Sequence, residues 1–198
     1  MQEAQLLDSF ARSALAAALA FEPHSLASTA WALATLRFQH LPLWAAISAQ
    51  AVPKISEFDT RGLSNTVWAC ANLRYSDPPL LQALAAPAGA RLREFDEQAL
   101  STTFWSFAKL AYHDQTLIAA LSAESLKRIP ALHQQGLANL SWSLAKLLVF
   151  DVPLLEALSA QSLARISQLQ AQHMSNTAWA FAKLQWKDEP LMEAIAAH

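Results

Sequence analysis

Residues 58–94 read FDTRGLSNTVWACANLRYSDPPLLQALAAPAGARLRE, and the same arrangement returns along the rest of the chain. Trp68 lies in the first third of this stretch, and Trp31, Trp105, Trp142 and Trp179 follow the same 37-residue spacing with no insertion or deletion between them. Five residues before each Trp stand Leu26, Leu63, Leu100, Leu137 and Met174; ten before stand Phe21, Phe58, Phe95, Leu132 and Leu169. Seven after stand Phe38, Tyr75, Tyr112, Val149 and Trp186. A fixed period of this length marks a repeat array, whose units bury their apolar faces only by stacking on one another.

Composition decides what the unit is made of. Of 198 residues, 41 are Ala and 33 are Leu, while Val and Ile together supply 10 and Gly only 3. Strong helix formers dominate, and the β-branched residues and glycines that strands and tight hairpins need are scarce. Each unit therefore divides into two helices. Helix A follows a start residue such as Asp59 or Asp96, passes through the Trp and ends near the aromatic at Tyr75 or Tyr112. Helix B begins after His40, Asp77, Asp114, Asp151 or Asp188, which read as N-caps, with Pro78 at a first helical position. It carries Leu80, Leu81, Leu84 and Leu92, and ends in bases such as Arg91, Arg93, Lys127, Arg128 and Arg165, which suit a helix C-terminus.

The predicted fold is all-α, an α-solenoid of stacked two-helix repeats forming a single array over residues 1–198. Residues 1–20 form a partial helix-B repeat, in which Leu6, Leu7 and Phe10 stand where Leu43, Trp44 and Ile47 stand one unit later. Repeats 21–57, 58–94, 95–131 and 132–168 follow, and 169–198 is an incomplete one. Opening and closing in mid-repeat, with no capping repeat at either end, reads as a fragment of a longer array, so any targeting peptide would lie outside it.

The helix A strings LSNTVWACANL at 63–73, LSTTFWSFAKL at 100–110, LANLSWSLAKL at 137–147 and MSNTAWAFAKL at 174–184 resemble the signature of octotricopeptide repeats and of their 37-residue relatives, the heptatricopeptide repeats. The likeness covers nearly the whole chain. It implies an organellar RNA-binding α-solenoid acting in transcript stabilisation, processing or translation in chloroplast or mitochondrion. The proline-rich motif with Glu-Trp found in many octotricopeptide repeats is missing, which favours the heptatricopeptide branch. The RAP domain that many such proteins carry at the C-terminus is missing too, and with it the one part from which a nuclease activity would be guessed.

Independently of that likeness, a helical wheel gathers four positions of helix A within about a quarter turn. Counted in the second repeat they are 61, 65, 69 and 72. The first holds His24, Arg61, Gln98, Gln135 and Gln172, and the second Ser28, Asn65, Thr102, Asn139 and Asn176. The third holds only Ala or Ser (Ala32, Ala69, Ser106, Ser143, Ala180), and the fourth Thr35, Asn72, Lys109, Lys146 and Lys183. Leu63, Val67 and Cys70 lie opposite and are expected to meet helix B. Charge divides along the same line. The helix A segments 24–38, 61–75, 98–112, 135–149 and 172–186 contain Arg37, Arg61, Arg74, Lys109, Lys146 and Lys183 and no acid, hence +6. The remaining 8 bases meet all 16 acids, which gives −8 and a net charge of −2. A nearly neutral protein arranged in this way can follow a phosphate backbone locally while salt screens its distant acids. Neighbouring amides can read base edges, as helical-repeat RNA binders do at about one base per repeat.

The candidate RNA-binding residues are accordingly Arg61, Asn65, Asn72, Gln98, Thr102, Lys109, Gln135, Asn139, Lys146, Gln172, Asn176 and Lys183. The Asn series admits two readings, contact with RNA or hydrogen bonds tying adjacent repeats. The Trp series reads as a core wedge, with Trp105 buried between helix pairs on both sides and Trp105→Ala costing roughly 3–5 kcal/mol; it also lies at the edge of the polar stripe, where a base could still stack on it. Single-stranded RNA is the expected partner, with other proteins as further partners, and a peptide- or protein-binding scaffold is the alternative function. No enzyme is expected, since His, carboxylates, Ser and Cys70 form no acid–base, nucleophile or metal-ligand constellation. No cofactor, metal, membrane or small-molecule substrate is implied; the longest apolar run, Ala14–Phe21, is far short of the roughly 18 residues a membrane span needs.

Overall fold

In all five repeats, the incomplete last one included, a polar side chain caps one or both helices, most regularly helix B. Its first free N–H groups are met by His40, Asp77, Asp114, Asp151 and Asp188, each accepting from the N–H three residues on at 2.9–3.2 Å. All five expected caps are therefore in place. Asp59, Asp96 and His133 do the same for helix A, accepting from Gly62, Ala99 and Gly136 at 2.6, 2.6 and 3.1 Å.

The computed structural model describes residues 2–198, with side chains from Gln5 onward, and all regular structure among them is helical. A-type helices are α2 (Pro23–Thr35), α4 (Thr60–Leu73), α6 (Glu97–Lys109), α8 (Gln134–Leu147) and α10 (Ala171–Lys183). B-type helices are α1 (Gln2–Ala17), α3 (Leu41–Lys54), α5 (Pro78–Ala90), α7 (Gln115–Arg128), α9 (Val152–Ala164) and α11 (Glu189–Ala196). Their start residues from α2 onward repeat at the 37-residue interval read from the Trp series. The protein is an α-solenoid of stacked helical hairpins. Among the described residues, no helix is long and apolar enough to cross a membrane.

Two local features were not in the expected two-helix unit. Helix B is followed by a short 3-10 turn, at Ala18–Ala20, Ile55–Glu57, Leu92–Glu94, Ile129–Ala131 and Ile166–Gln168. Leu92 accordingly lies in this turn and not in helix B. The bases near the end of helix B also do more than suit its dipole. Lys54, Arg91 and Arg165 reach back to donate to the backbone carbonyls of Phe21, Phe58 and Leu132 at 2.7, 2.7 and 2.6 Å, and Arg128 donates likewise to Phe95. Each of the four complete repeats is thus closed by one cation on the carbonyl that precedes its own helix A. Helix A ends instead in a left-handed residue, Arg37, Arg74, Ala111, Leu148 or Gln185, with φ between 52° and 56°. The N–H of the next residue turns back onto the helix, as in Tyr75 to Cys70 (2.9 Å) and Val149 to Leu144 (2.8 Å).

The chain forms two compact units, Met1–Arg91 and Leu92–His198. In the first, α2 lies along α4, and α1, α3 and α5 form the second layer. Leu26, Leu33, Leu43, Trp44, Ile47, Phe58, Leu63, Val67, Cys70, Leu80 and Leu84 fill the space between layers. Asp77 also ties α5 to α3, because its Oδ2 accepts from Ser48 Oγ at 2.6 Å. In the second unit α6, α8 and α10 lie side by side over α7, α9 and α11, and Phe95, Leu100, Phe104, Phe107, Leu121, Leu137, Leu144, Leu158 and Phe181 are buried between them.

Candidate nucleic-acid interface

Packing on two sides leaves helix A one open face. In α4, Gly62, Leu63, Ser64, Thr66, Val67, Ala69, Cys70, Ala71 and Leu73 are buried. Beyond the first residue, Thr60, what stays accessible is Arg61, Asn65, Trp68 and Asn72. The same spacing recurs as Gln98, Thr102, Trp105 and Lys109 on α6, and as Gln135, Asn139, Trp142 and Lys146 on α8. On α10 it is Gln172, Asn176, Trp179 and Lys183, and on α2 His24, Ser28, Trp31 and Thr35. All twelve predicted residues therefore reach this face, those on α4 in the first unit and the others in the second.

The third member of the stripe needs correction. Ala69, Ser106, Ser143 and Ala180 are buried, and the Trp one residue earlier takes the place expected for them. Ser106 and Ser143 turn inward to donate to the carbonyls of Thr102 and Asn139 at 2.7 and 2.6 Å. The Trp series is not a core wedge: Trp31 and Trp179 are 45% and 44% exposed, and Trp68, Trp105 and Trp142 are half-buried. Aromatic packing inside the second unit is supplied by Phe104, Phe107 and Phe181, which are closed to solvent. The wheel held the necessary signal. At 100° per residue, positions 61, 65, 68 and 72 span about 60°, against about 80° when 69 replaces 68.

In the second unit the indoles form a continuous row. The Trp105 and Trp142 centroids are 6.1 Å apart with planes inclined by 39°, and those of Trp142 and Trp179 are 6.3 Å apart at 27°. Lys109 Nζ lies 4.3 Å from the Trp105 centroid, a cation–π contact. Lys146 and Lys183 are exposed at the equivalent positions. Further along the chain's own N-terminal direction, in the first unit, that position is used differently: Asn72 Nδ2 donates to the Trp68 carbonyl at 3.1 Å and Thr35 Oγ1 to that of Trp31 at 2.9 Å.

Among the described residues, the side-chain amides of Asn65, Asn139 and Asn176 have no hydrogen-bond partner in the protein. An inter-repeat ladder of Asn side chains is therefore not what holds the repeats together; apolar packing does that, helped by Arg128 and Arg165, which also donate to the Leu92, Arg93 and Pro130 carbonyls of the preceding repeat. Half-buried amides left open in this way keep both donor and acceptor available to a ligand. Cys70 offers no nucleophile, since burial first, with the charge of Asp77, pushes its thiol up to about 12. Among the described residues no group of His, Cys, Asp and Glu is placed to hold a metal ion.

Fold and face together define a helical-repeat protein whose A helices carry, in each unit, a polar, cationic and aromatic face. Residues 43–152, more than half of the chain, match the family model of the RNA-editing substrate-binding complex 6 protein, and the chain belongs to that family. The match supports an RNA-associated helical family, and it is a different family from the octotricopeptide and heptatricopeptide repeats that the helix A strings resemble. No curated protein matches the chain.

Proposed function

We propose that this chain binds single-stranded RNA along the open face of its A helices and selects sequence through the side chains at the positions of Arg61 and Asn65. The observation that carries this reading is the recurrence of unpartnered amides beside exposed cations on the one face of helix A that packing leaves free. Phosphates would be neutralised by Lys109, Lys146 and Lys183, and base edges met by Gln98, Gln135, Gln172, Thr102, Asn139 and Asn176. The role is binding, without chemistry of its own. The family's name speaks of an RNA-editing complex that binds substrate, so we place the activity in organellar transcript processing within a protein assembly, and we assign the repeats to the heptatricopeptide type on their period.

The test is binding of the purified chain to a random single-stranded RNA pool, with duplex RNA and single-stranded DNA alongside. Binding confined to the single-stranded RNA supports the reading; failure to bind any of the three at low salt removes it. The alternative, a groove for an extended peptide, uses the same amides, but the row of flat indoles favours a ligand with flat rings. Sequence selection has its own test. Thr102→Asn should change the preferred base at one nucleotide of the selected motif by on the order of 1 kcal/mol and leave its neighbours unchanged. Identical motifs selected by both proteins would take this position out of the reading set.

A further inference from the structure

We propose that Trp105, Trp142 and Trp179 form a stacking rail that takes one base per repeat from an RNA strand whose own bases are held apart, so that weakly stacking strands are preferred; this rests on the RNA reading above. The rail lies wholly within the second unit and is lined on the same helix face by the amides and lysines already described.

Three observations lead to it. The indoles are accessible although Phe104, Phe107 and Phe181, on the same helices, are closed to solvent and already supply the aromatic packing. Large apolar rings kept open on a polar stripe are surfaces for contact, because burial would otherwise remove them from water. The second observation is spacing. The rings advance 6.1 and 6.3 Å from one repeat to the next. A stacked strand advances only about 3.4 Å per nucleotide. One base per ring is therefore reached only when the strand is drawn out to nearly twice its stacked rise, and base–base stacking is exchanged for base–indole stacking. Third, each ring has its readers one turn away on the same face. Asn139 precedes Trp142 by three residues and Lys146 follows it by four, so both are helical neighbours of the ring. A base lying on Trp142 then has an amide at its edge and an ammonium within reach of its phosphate.

The exchange fixes the substrate class. Every base has a face to offer the indole, so stacking itself is tolerant of sequence. The strand that surrenders least in unstacking binds best, which ranks oligo(U) above oligo(A) and excludes a duplex.

The experiment measures affinity of the whole chain for oligo(U) and oligo(A) of equal length at one salt concentration, for the wild type and for the Trp105→Leu, Trp142→Leu, Trp179→Leu triple variant. The wild type should favour oligo(U) by about tenfold, and the variant should bring the ratio close to one while keeping salt-dependent binding through its lysines. A variant that melts with the wild type and keeps the preference overturns the rail, as does a wild type that favours oligo(A). Ultraviolet absorbance of oligo(A) saturated with wild-type protein gives a readout that needs no variant: it should rise as the purine stack opens, and an unchanged absorbance on the bound strand overturns the proposal. Absence of binding to either strand at low salt removes the RNA reading and the rail with it. Binding without preference and without unstacking removes the rail alone.

Discussion

Trp44 is 1% exposed, lies 5.2 Å from the Tyr75 ring, and has an indole N–H with no acceptor, whereas Trp142 keeps part of its ring open between Trp105 and Trp179. The two residues should respond differently to truncation. Trp44→Ala should lower stability by about 3–5 kcal/mol through the cavity it leaves, and Trp142→Ala by only about 1–2 kcal/mol; urea denaturation followed by circular dichroism measures both. Equal losses would put Trp142 back in the core. A second residue should make the stability of the second unit depend on pH. Glu124 on α7 is 8% exposed and accepts from Lys127 Nζ at 3.1 Å and Arg128 Nε at 2.9 Å. Burial pushes its carboxyl up, but the hydrogen bonds and charges of Lys127 and Arg128 outweigh burial and hold it below its ordinary value. A group lowered in the folded state contributes stability that is complete above the unfolded value, about 4.3, and fades as pH falls through the folded one. The second unit should therefore lose stability below about pH 4, and Glu124→Gln should flatten that part of the curve. Thermal melting from pH 7 down to pH 3 tests this, and parallel curves for the two proteins would refute it.

At the scale of the element, the termini of the helices separate what the sequence displays from what it hides. His40, Asp77, Asp114, Asp151 and Asp188 are visible as caps because a cap is a residue type at a fixed place before an apolar run. Helix A's end carries no such mark. Its left-handed residues are Arg37, Arg74, Ala111, Leu148 and Gln185, with no glycine to announce the conformation, and the 3-10 turns are too short to impose a period. The Trp series misleads for another reason: its area argues for burial against a wheel that already draws position 68 into the stripe more tightly than 69, and the buried state of Ala69, Ser106, Ser143 and Ala180 decides for the wheel. The left-handed end makes a prediction. Leu148 is 66% exposed at φ 56°, so Leu148→Gly removes an exposed apolar side chain and a steric cost and should raise stability by about 1 kcal/mol. The tie at the end of helix B runs the other way: Arg165→Met removes donors to the Leu132 and Pro130 carbonyls at 2.6 and 2.7 Å and should cost about 2 kcal/mol. Differential scanning calorimetry of the two variants should move in opposite directions.

Over the whole molecule, the charge that bears on binding is the charge of a layer. The chain carries −2 overall, yet its helix A segments carry six bases and no acid. Bulk charge would predict weak repulsion of RNA, while the layer predicts attraction that shortens with the Debye length. The two accounts separate when equal charge is removed from different places. Lys109, Lys146 and Lys183 replaced together by Ala bring the net charge from −2 to −5, since three cations are lost. Arg12, Arg93 and Lys187, which lie outside the helix A segments, bring it to the same −5 when replaced by Ala. If phosphates lie along the stripe, the first variant should lower the slope of log K against log salt by about 2, at roughly 0.7 for each single-strand contact, and the second should leave the slope unchanged. Filter binding with single-stranded RNA over a series of salt concentrations gives both slopes. Equal changes in the two variants would mean that net charge governs binding and that the lysines of the stripe touch no phosphate.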